Sequence, residues 1–204
     1  MTSFTYEFEN KKTSLERYEW DNVWWERNDL TDRDRILYIG DSISCATRRF
    51  ATMESNESIL FDGVGTSKSI DNPYFESLIK SFAMQQGNRK AIIFNNGLHG
   101  WHLDDTTEYR EHYEKMVKFL LSEFKGVPIF IVLTTAVENR ERNDRVIIRN
   151  EVAQSVAKEY SLKVIDLYSI TNEHRDLLSS DGVHLVEEGY KLLAKEIVKK
   201  VKSI

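Results

Sequence analysis

Three residues in this sequence are of the types that together make a hydroxyl group reactive toward a carbonyl carbon. Ser42 ends the tripeptide GDS, which follows the apolar run RILYI, and Asp181 and His184 stand three residues apart in SSDGVHL. A serine hydroxyl is a weak nucleophile and needs a base within hydrogen-bond reach, which a third group orients. One turn of backbone can bring Asp181 to one ring nitrogen of His184 and leave the other nitrogen facing Ser42. These residues therefore predict nucleophilic catalysis.

Each motif also has an ordinary structural explanation. An Asp-Ser pair before a helix is a common N-cap, and an Asp-x-x-His pair alone is less specific still. The order of the two motifs is the stronger signal, because GDS follows the first predicted strand and Asp-x-x-His precedes the last predicted helix. We therefore favour the catalytic interpretation of Ser42, Asp181 and His184 over the structural one.

The elements that position these residues follow from the hydrophobic pattern. Five short apolar runs predict strands: RILYIG at 35, SILF at 58, AIIFN at 91, VPIFIVL at 127 and LKVID at 162. Helical periodicity occurs between them, most clearly from 106 to 124 and from about 140 to 159, and again in EEGYKLLAKEIVKKVKSI. Strands that are apolar on both faces and alternate with helices predict an α/β fold with a parallel sheet between helices. Ligands bind such sheets at the carboxyl ends of the strands.

The composition is that of a folded globular protein. Of the 204 residues, 41% are hydrophobic, 30% are charged and two are proline. The formal net charge is -5, and no basic block precedes the final helix, which excludes the phosphate-neutralising surface of a nucleic-acid binder. The longest apolar run, VPIFIVL, is far shorter than the roughly 20 residues that a membrane helix needs. We expect neither nucleic acid nor membrane as a partner.

We divide the chain at the first predicted strand. Residues 34–204 are expected to form a single catalytic domain, and residues 1–33 an arm that packs on the outside of the sheet. This arm contains a sequence cluster of three tryptophans, Trp20, Trp24 and Trp25. The single cysteine, Cys45, excludes an internal disulfide and is interpreted as a buried structural residue. Because no secretory signal precedes the arm, we expect a cytoplasmic location.

The two motifs resemble those of the SGNH, or GDSL-type, hydrolases, and the resemblance covers nearly the whole chain from about residue 33. IGDSIS is similar to the first block of that family and DGVHL to its Asp-x-x-His block, although Ile43 stands where the family name has leucine. The resemblance implies a three-layer α/β/α sandwich with a five-stranded, mostly parallel, flavodoxin-like sheet. It also implies a triad of Ser42, His184 and Asp181 that needs no cofactor.

The resemblance further implies an oxyanion hole, which the family builds from the nucleophile's own N–H, a block-two glycine and the asparagine of a Gly-x-Asn-Asp block. Aligned without gaps, FNNGLHGW places Asn95 at the asparagine and Asn96 at the aspartate, but Ile93 at the glycine. Asn95 is therefore preferred and Asn96 stays open. In FDGVGTSKS, Gly65 is preferred over Gly63. The alternatives are turn-stabilising asparagines and loop glycines with positive φ.

The segment HGWHLDD gathers side chains that could also bind a metal ion: His99, His102, Asp104 and Asp105. Their spacing matches no closed zinc pattern, so we expect no metal. We interpret the segment as a loop that borders the pocket, with His99 and Trp101 in its lining. Trp101 either offers a wall on which a sugar ring stacks or serves packing alone.

The loop TTAVENRERNDR, after the fourth predicted strand, also ends at the ligand-binding edge of the sheet. We expect Thr134, Glu138 and Asn139 to line the cleft. Its arginines are expected to form a solvated face with the acids beside them.

Together these inferences predict a serine esterase whose partner is a small-molecule ester. The resemblance implies that Ser42 attacks, His184 carries the proton, Asp181 orients His184, and the Ser42 and Gly65 N–H groups with the Asn95 amide hold the oxyanion. It favours short acyl groups, and deacetylation of a carbohydrate is the most specific hypothesis. The alternatives are a lysophospholipase or thioesterase acting on longer chains, and a non-catalytic ligand-binding module. The sequence makes no prediction about the oligomeric state.

Overall fold

A six-stranded sheet lies between two layers of helices in the computed structural model, which describes residues 12–16, 18–87 and 89–204. The strands are β1 Asp21–Trp24, β2 Asp34–Gly40, β3 Ile59–Thr66, β4 Ala91–Phe94, β5 Ile129–Leu133 and β6 Lys163–Asp166. The helices are α1 Ser42–Glu54, α2 Phe75–Gln86, α3 Thr106–Glu123, α4 Arg140–Glu159, α5 Leu167–Glu173 and α6 Glu187–Val201, with a 3-10 turn at Arg175–Leu177. The predicted α/β class and the five predicted strands are confirmed.

The order of the strands across the sheet is β1-β3-β2-β4-β5-β6. The five strands β2 to β6 are parallel and occur in the doubly wound order of flavodoxin-like sheets, which is the predicted arrangement. β2 therefore lies between β3 and β4. The order reverses at this point, so the loops after β2, β3 and β4 meet at one edge of the sheet.

The two faces of the sheet are covered by different helices. Leu37 and Ile39 of β2 face a core that includes α2, α3 and most of the apolar side of α4. Ile36 and Tyr38, at alternate positions of the same strand, face a core built with α1 and α6. Burial on both faces explains why the predicted strands are continuous apolar runs.

One strand was not predicted. β1 pairs with β3 in the antiparallel direction, with Asp21 opposite Thr66, and so extends the sheet by one edge strand. All four side chains of β1 are exposed, so its sequence shows neither an apolar run nor alternation. The described part of the arm thus continues the sheet at its edge, and the arm before residue 12 lies outside the described residues.

The three tryptophans of the arm point to three different places. Trp25 stacks on Phe82 of α2, with ring centroids 4.3 Å apart. Trp24 is about half exposed, and the ring of Trp20 meets the edge of His99. The tryptophans are neighbours in sequence but do not form a cluster in the fold. Among the described helices, none combines the length and the apolar character needed to cross a bilayer.

Candidate active site

The turn from β2 to α1 leaves the hydroxyl of Ser42 free from capping. The N-cap of α1 is Asp41, whose Oδ1 accepts the N–H of Ile43 at 2.9 Å, and the hydroxyl of Ser44 donates to the Asp41 carbonyl at 2.7 Å. Gly40 permits the sharp turn, since a Cβ there would lie 2.7 Å from the Ser44 Cβ. The structural interpretation of the GDS motif, a helix cap, therefore applies to Asp41 and not to Ser42.

The structure brings Ser42, His184 and Asp181 into one hydrogen-bonded series. Ser42 Oγ lies 2.8 Å from His184 Nε2, and His184 Nδ1 lies 2.7 Å from Asp181 Oδ2. Since a carboxylate only accepts hydrogen bonds, Nδ1 carries the proton and Nε2 is the acceptor for the Ser42 hydroxyl. This is the arrangement in which an imidazole can remove the proton of a serine.

Asp181 is held as an anion by the backbone of its own loop. Its Oδ1 accepts the Ser179 hydroxyl at 2.8 Å and the N–H groups of Val183 and His184 at 2.9 Å each. Burial disfavours the charged form, but these hydrogen bonds and the one to the His184 ring outweigh it and lower the pKa of Asp181 below its usual value. Asp181 is therefore ionised at neutral pH.

The loop that carries Asp181 and His184 is a tight turn. The N–H of Ser179 donates to the His184 carbonyl at 2.7 Å, and Gly182 has a φ of +72°, which favours glycine. The N–H of Glu138 donates to the Gly182 carbonyl at 2.7 Å. Glu138, expected to line the cleft, thus anchors this loop to the one after β5.

Asn95 uses its amide to join two strands. Both of its N–H groups are donated within the protein, to the carbonyl of Val132 at 2.9 Å and to the hydroxyl of Thr134 at 2.9 Å. An amide has two hydrogens, so none is left for a ligand. Thr134 is 4% exposed and lines a small cavity together with Asp41 and Asn95. This geometry does not favour the predicted role of Asn95 in an oxyanion hole.

Asn96 reaches across the end of β2. Its Nδ2 donates one hydrogen to the Lys68 carbonyl at 2.9 Å, in the loop that follows β3. Because β3 and β4 flank β2, this hydrogen bond passes over the carboxyl end of β2, where Ser42 begins α1. The second amide hydrogen has no acceptor among the described residues. Of the two asparagines, Asn96 is thus the one whose amide has a hydrogen available to a ligand.

The two candidate glycines lie within β3 and not in a loop after it, and neither has a positive φ. A Cβ at Gly65 would lie 2.0 Å from the Cys45 Sγ, and one at Gly63 would crowd the guanidinium of Arg48. Both glycines therefore allow α1 to pack closely on the sheet. Cys45 is only partly buried, where a buried residue was expected, and this burial raises the pKa of its thiol.

The acids and histidines of the segment 99–105 turn away from one another. Each of them has its own partner: His99 lies by Glu16, His102 bonds Asp71, Asp104 pairs with Arg145, and Asp105 caps α3 through the N–H of Glu108. Within the ranges that the structure describes, no three His, Cys, Asp or Glu side chains are grouped to hold a metal ion.

A groove of about 630 Å³ is lined by Asp181, by the segment 101–106 and by the first half of α4, and Asn139 lines it as expected. Trp101 borders this groove but is only 7% exposed, because the guanidinium groups of Arg142 and Arg145 lie 4.9 and 5.0 Å from its ring centroid. This geometry favours the packing alternative for Trp101 over a sugar-stacking wall. Arg142 and Arg145 thus cover this ring, whereas Arg140 of the same loop is exposed, as expected.

Comparison of the sequence with family models and with curated proteins finds no match. Solved structures do match. A lipase/acylhydrolase from Enterococcus faecalis has a TM-score of 0.66 at 20% identity, covering 83% of this chain and 96% of that one. The acetyl xylan esterase AlAXEase has a TM-score of 0.65 at 16% identity, covering 82% and 99%. The C-terminal catalytic domain of a peptidoglycan O-acetyltransferase from Streptococcus pneumoniae has a TM-score of 0.65 at 16% identity, covering 84% and 94%.

These matches show the fold. The chain has the α/β/α architecture of GDSL-type lipases, acylhydrolases and acetyl esterases over most of its length. Coverage of nearly the whole of each neighbour means that no large part of their fold is missing from this chain. The antiparallel edge strand β1 makes the sheet one strand larger than predicted.

Proposed function

We propose that this chain, which has the fold of GDSL-type acylhydrolases, is a serine hydrolase that cleaves carboxylic esters of short acyl groups. The observation that carries the proposal is the continuous hydrogen bonding from the Ser42 hydroxyl through both ring nitrogens of His184 to the Asp181 carboxylate. In a purely structural role, Ser42 would be expected to bond the backbone of its own helix, and Asp41 already provides that cap.

In the proposed reaction, Ser42 Oγ attacks the ester carbonyl carbon while its proton moves to His184 Nε2. Asp181 stabilises the resulting imidazolium. The tetrahedral intermediate then expels the alcohol, which takes the proton from Nε2, and leaves an acyl group on Ser42. A water molecule repeats the cycle, with His184 again as base, and releases the carboxylic acid.

The developing negative charge on the carbonyl oxygen needs hydrogen-bond donors. We assign this role to the N–H of Ser42, since the first N–H groups of a helix have no intrahelical acceptor, and to the second amide hydrogen of Asn96. The N–H of Gly65, which is the register partner of Gly40 in the pairing of β2 and β3, stays our prediction for a third donor. Loss of one such donor typically lowers the rate by about 10²–10³.

For the alcohol part of the substrate we propose an O-acetylated carbohydrate. The groove that Asp181 lines has a mainly polar lining, including Asp105, Asn139, Glu141 and Asp144, which suits hydroxyl groups better than an acyl chain. Two of the structural neighbours are described as an acetyl xylan esterase and a peptidoglycan O-acetyltransferase. A lysophospholipase or thioesterase would instead need an apolar channel for its acyl chain.

The first experiment tests whether Ser42 is nucleophilic. A fluorophosphonate probe should label the wild-type chain at Ser42 and leave Ser42→Ala unlabelled, and the substitution should lower ester turnover by about 10⁶. Ser122→Ala is the matched control, because among the described residues that hydroxyl bonds only the carbonyl of Phe119 in its own helix. A wild-type chain that resists the probe, or a Ser42→Ala variant that keeps its activity, would support the non-catalytic binding module instead.

The second experiment tests the substrate class. We expect p-nitrophenyl acetate to be hydrolysed faster than the butyrate and octanoate esters, and acetate to be released from acetylated oligosaccharides. A rate that rises with chain length would favour the lysophospholipase or thioesterase alternative.

A further inference from the structure

A buried cation in α4 organises the segment that follows the two asparagines. Arg149 is 3% exposed, and its guanidinium donates to four backbone carbonyls: Gly97 at 3.1 Å, His99 at 2.6 Å, Gly100 at 2.6 Å and Leu103 at 3.1 Å. In the described part of the chain, no carboxylate forms an ion pair with it. A buried charge without a counter-ion is costly, and these four hydrogen bonds compensate that cost while they fix the backbone from Gly97 to Leu103.

Tyr109 of α3 completes the arrangement from the other side. Its hydroxyl donates to the Asn96 carbonyl at 2.5 Å, and its ring lies beneath the guanidinium of Arg149, 4.6 Å from the ring centroid. Tyr109 and Arg149 thus hold the consecutive carbonyls of Asn96 and Gly97. The backbone on the C-terminal side of Asn96 is fixed by two side chains from two helices.

We propose that Tyr109 and Arg149 are positioning residues that hold the Asn96 amide where the oxyanion forms. The inference rests on the proposed function, in which the second amide hydrogen of Asn96 stabilises that oxygen. An oxyanion donor must lie within about 2.7–3.1 Å of the charged oxygen, and errors of roughly 0.5 Å already matter. Rotation of the Asn96 peptide would displace its side chain and with it the amide hydrogen that faces the oxyanion.

A positioning role and a merely structural role differ in their kinetic effects. The amide contributes most when the carbonyl oxygen becomes negative, so misplacing it lowers kcat and leaves KM nearly unchanged. A structural role alone lowers the melting temperature and leaves both kinetic constants unchanged at temperatures where the protein is folded.

Tyr109→Phe is the sharpest variant, because it removes one hydroxyl and keeps the ring beneath Arg149. Tyr113→Phe is its matched control: Tyr113 is also buried, lies one turn further along α3, and its hydroxyl has no partner among the described residues. We expect Tyr109→Phe to lower kcat for p-nitrophenyl acetate by about tenfold with KM within about twofold, as partial loss of one donor implies. Tyr113→Phe should leave both constants unchanged.

A double-mutant cycle with Asn96→Ala ties the effect to the amide. In that background Tyr109→Phe should have no further effect on kcat, because the group that it positions is gone. Arg149→Lys, which keeps the charge but cannot bind four carbonyls, should behave like Tyr109→Phe if it folds. An undiminished effect of Tyr109→Phe in the Asn96→Ala background, or unchanged kcat in Tyr109→Phe, would overturn the inference.

The outcome also separates this inference from the proposed function. If the wild-type chain hydrolyses esters through Ser42 but Tyr109→Phe is as active as Tyr113→Phe, only the positioning role fails. If fluorophosphonate does not label Ser42, the proposed function and the positioning role fail together.

Discussion

Replacement of Asp181 by asparagine tests how the carboxylate sets the protonation of His184. Oδ1 of Asp181 accepts three hydrogen bonds, from Ser179, Val183 and the N–H of His184, whereas Oδ2 accepts only the one from the His184 ring. An asparagine should therefore place its carbonyl oxygen at the Oδ1 position. The opposite orientation would lose three hydrogen bonds of about 1 kcal/mol each, so it is disfavoured by roughly 3 kcal/mol.

In the favoured orientation, the new NH₂ group faces His184 Nδ1. That nitrogen must then accept a hydrogen bond, so the ring proton moves to Nε2, which donates to Ser42 and cannot remove its proton. At 1.4 kcal/mol per factor of ten, the 3 kcal/mol preference alone lowers the productive population by about a hundredfold. Loss of the charge that stabilises the imidazolium adds to this, and the same substitution in serine proteases lowers kcat by about 10⁴.

We expect Asp181→Asn to lower kcat for p-nitrophenyl acetate by about 10⁴, measured against the residual rate of Ser42→Ala. Asp166→Asn is the matched control, because Asp166 also accepts the N–H three residues on, here as the N-cap of α5, but contacts no histidine among the described residues. Its kcat should equal that of the wild type. An Asp181→Asn variant within tenfold of the wild-type kcat would refute the tautomer argument.

Gly65→Ala should lower the free energy of unfolding, measured with urea, by about 1–3 kcal/mol, because its Cβ would overlap the Cys45 Sγ. Adding Cys45→Ala should recover most of this loss. Equal losses with and without Cys45 would contradict the packing argument. Because the pKa of Asp181 is lowered in the folded protein, its ionised form stabilises the fold at pH values above the ordinary aspartate pKa. In thermal melts, the difference in stability between wild type and Asp181→Asn should therefore be constant above about pH 5 and shrink below about pH 4. A constant difference down to pH 3 would contradict that pKa. Dialysis against a chelator should leave ester turnover unchanged, and a loss reversed by added metal ion would favour a metal-dependent mechanism.

The sequence predicts those elements whose hydrophobic pattern directly reflects which of their side chains are buried. β2 is apolar at successive positions because both of its faces are covered, and the run stops at Gly40 because the chain must turn there into α1. The Asp-x-x-His motif is equally local, since Asp181 reaches His184 through a single turn of backbone. Pairing of Ser42 with His184, 142 residues away, was inferred from chemistry and motif order.

The parts that the sequence does not predict depend on neighbours distant along the chain. β1 forms through backbone pairing with β3 and buries no side chain, so it leaves no hydrophobic pattern. Gly65 lies beyond the predicted strand SILF, and glycine is rare inside strands, yet it is part of β3 and admits the close approach of α1. Trp101 is of a residue type that often stacks on sugar rings. The sequence does not show that two arginines cover its ring, because that contact forms only in the fold.

The choice between the two adjacent asparagines illustrates what a hydrogen-bond inventory adds to a motif. Asn95 and Asn96 are chemically identical and one residue apart, so alignment to a motif with one altered position cannot separate them. Asn95 donates both amide hydrogens toward β5, which makes it part of the framework. Asn96 donates one across the end of β2, and its backbone is fixed by Tyr109. An amide whose backbone is held in place and whose second hydrogen is unused is preorganised for a developing charge, and this physical property, more than position in the motif, is why we propose Asn96 as the donor.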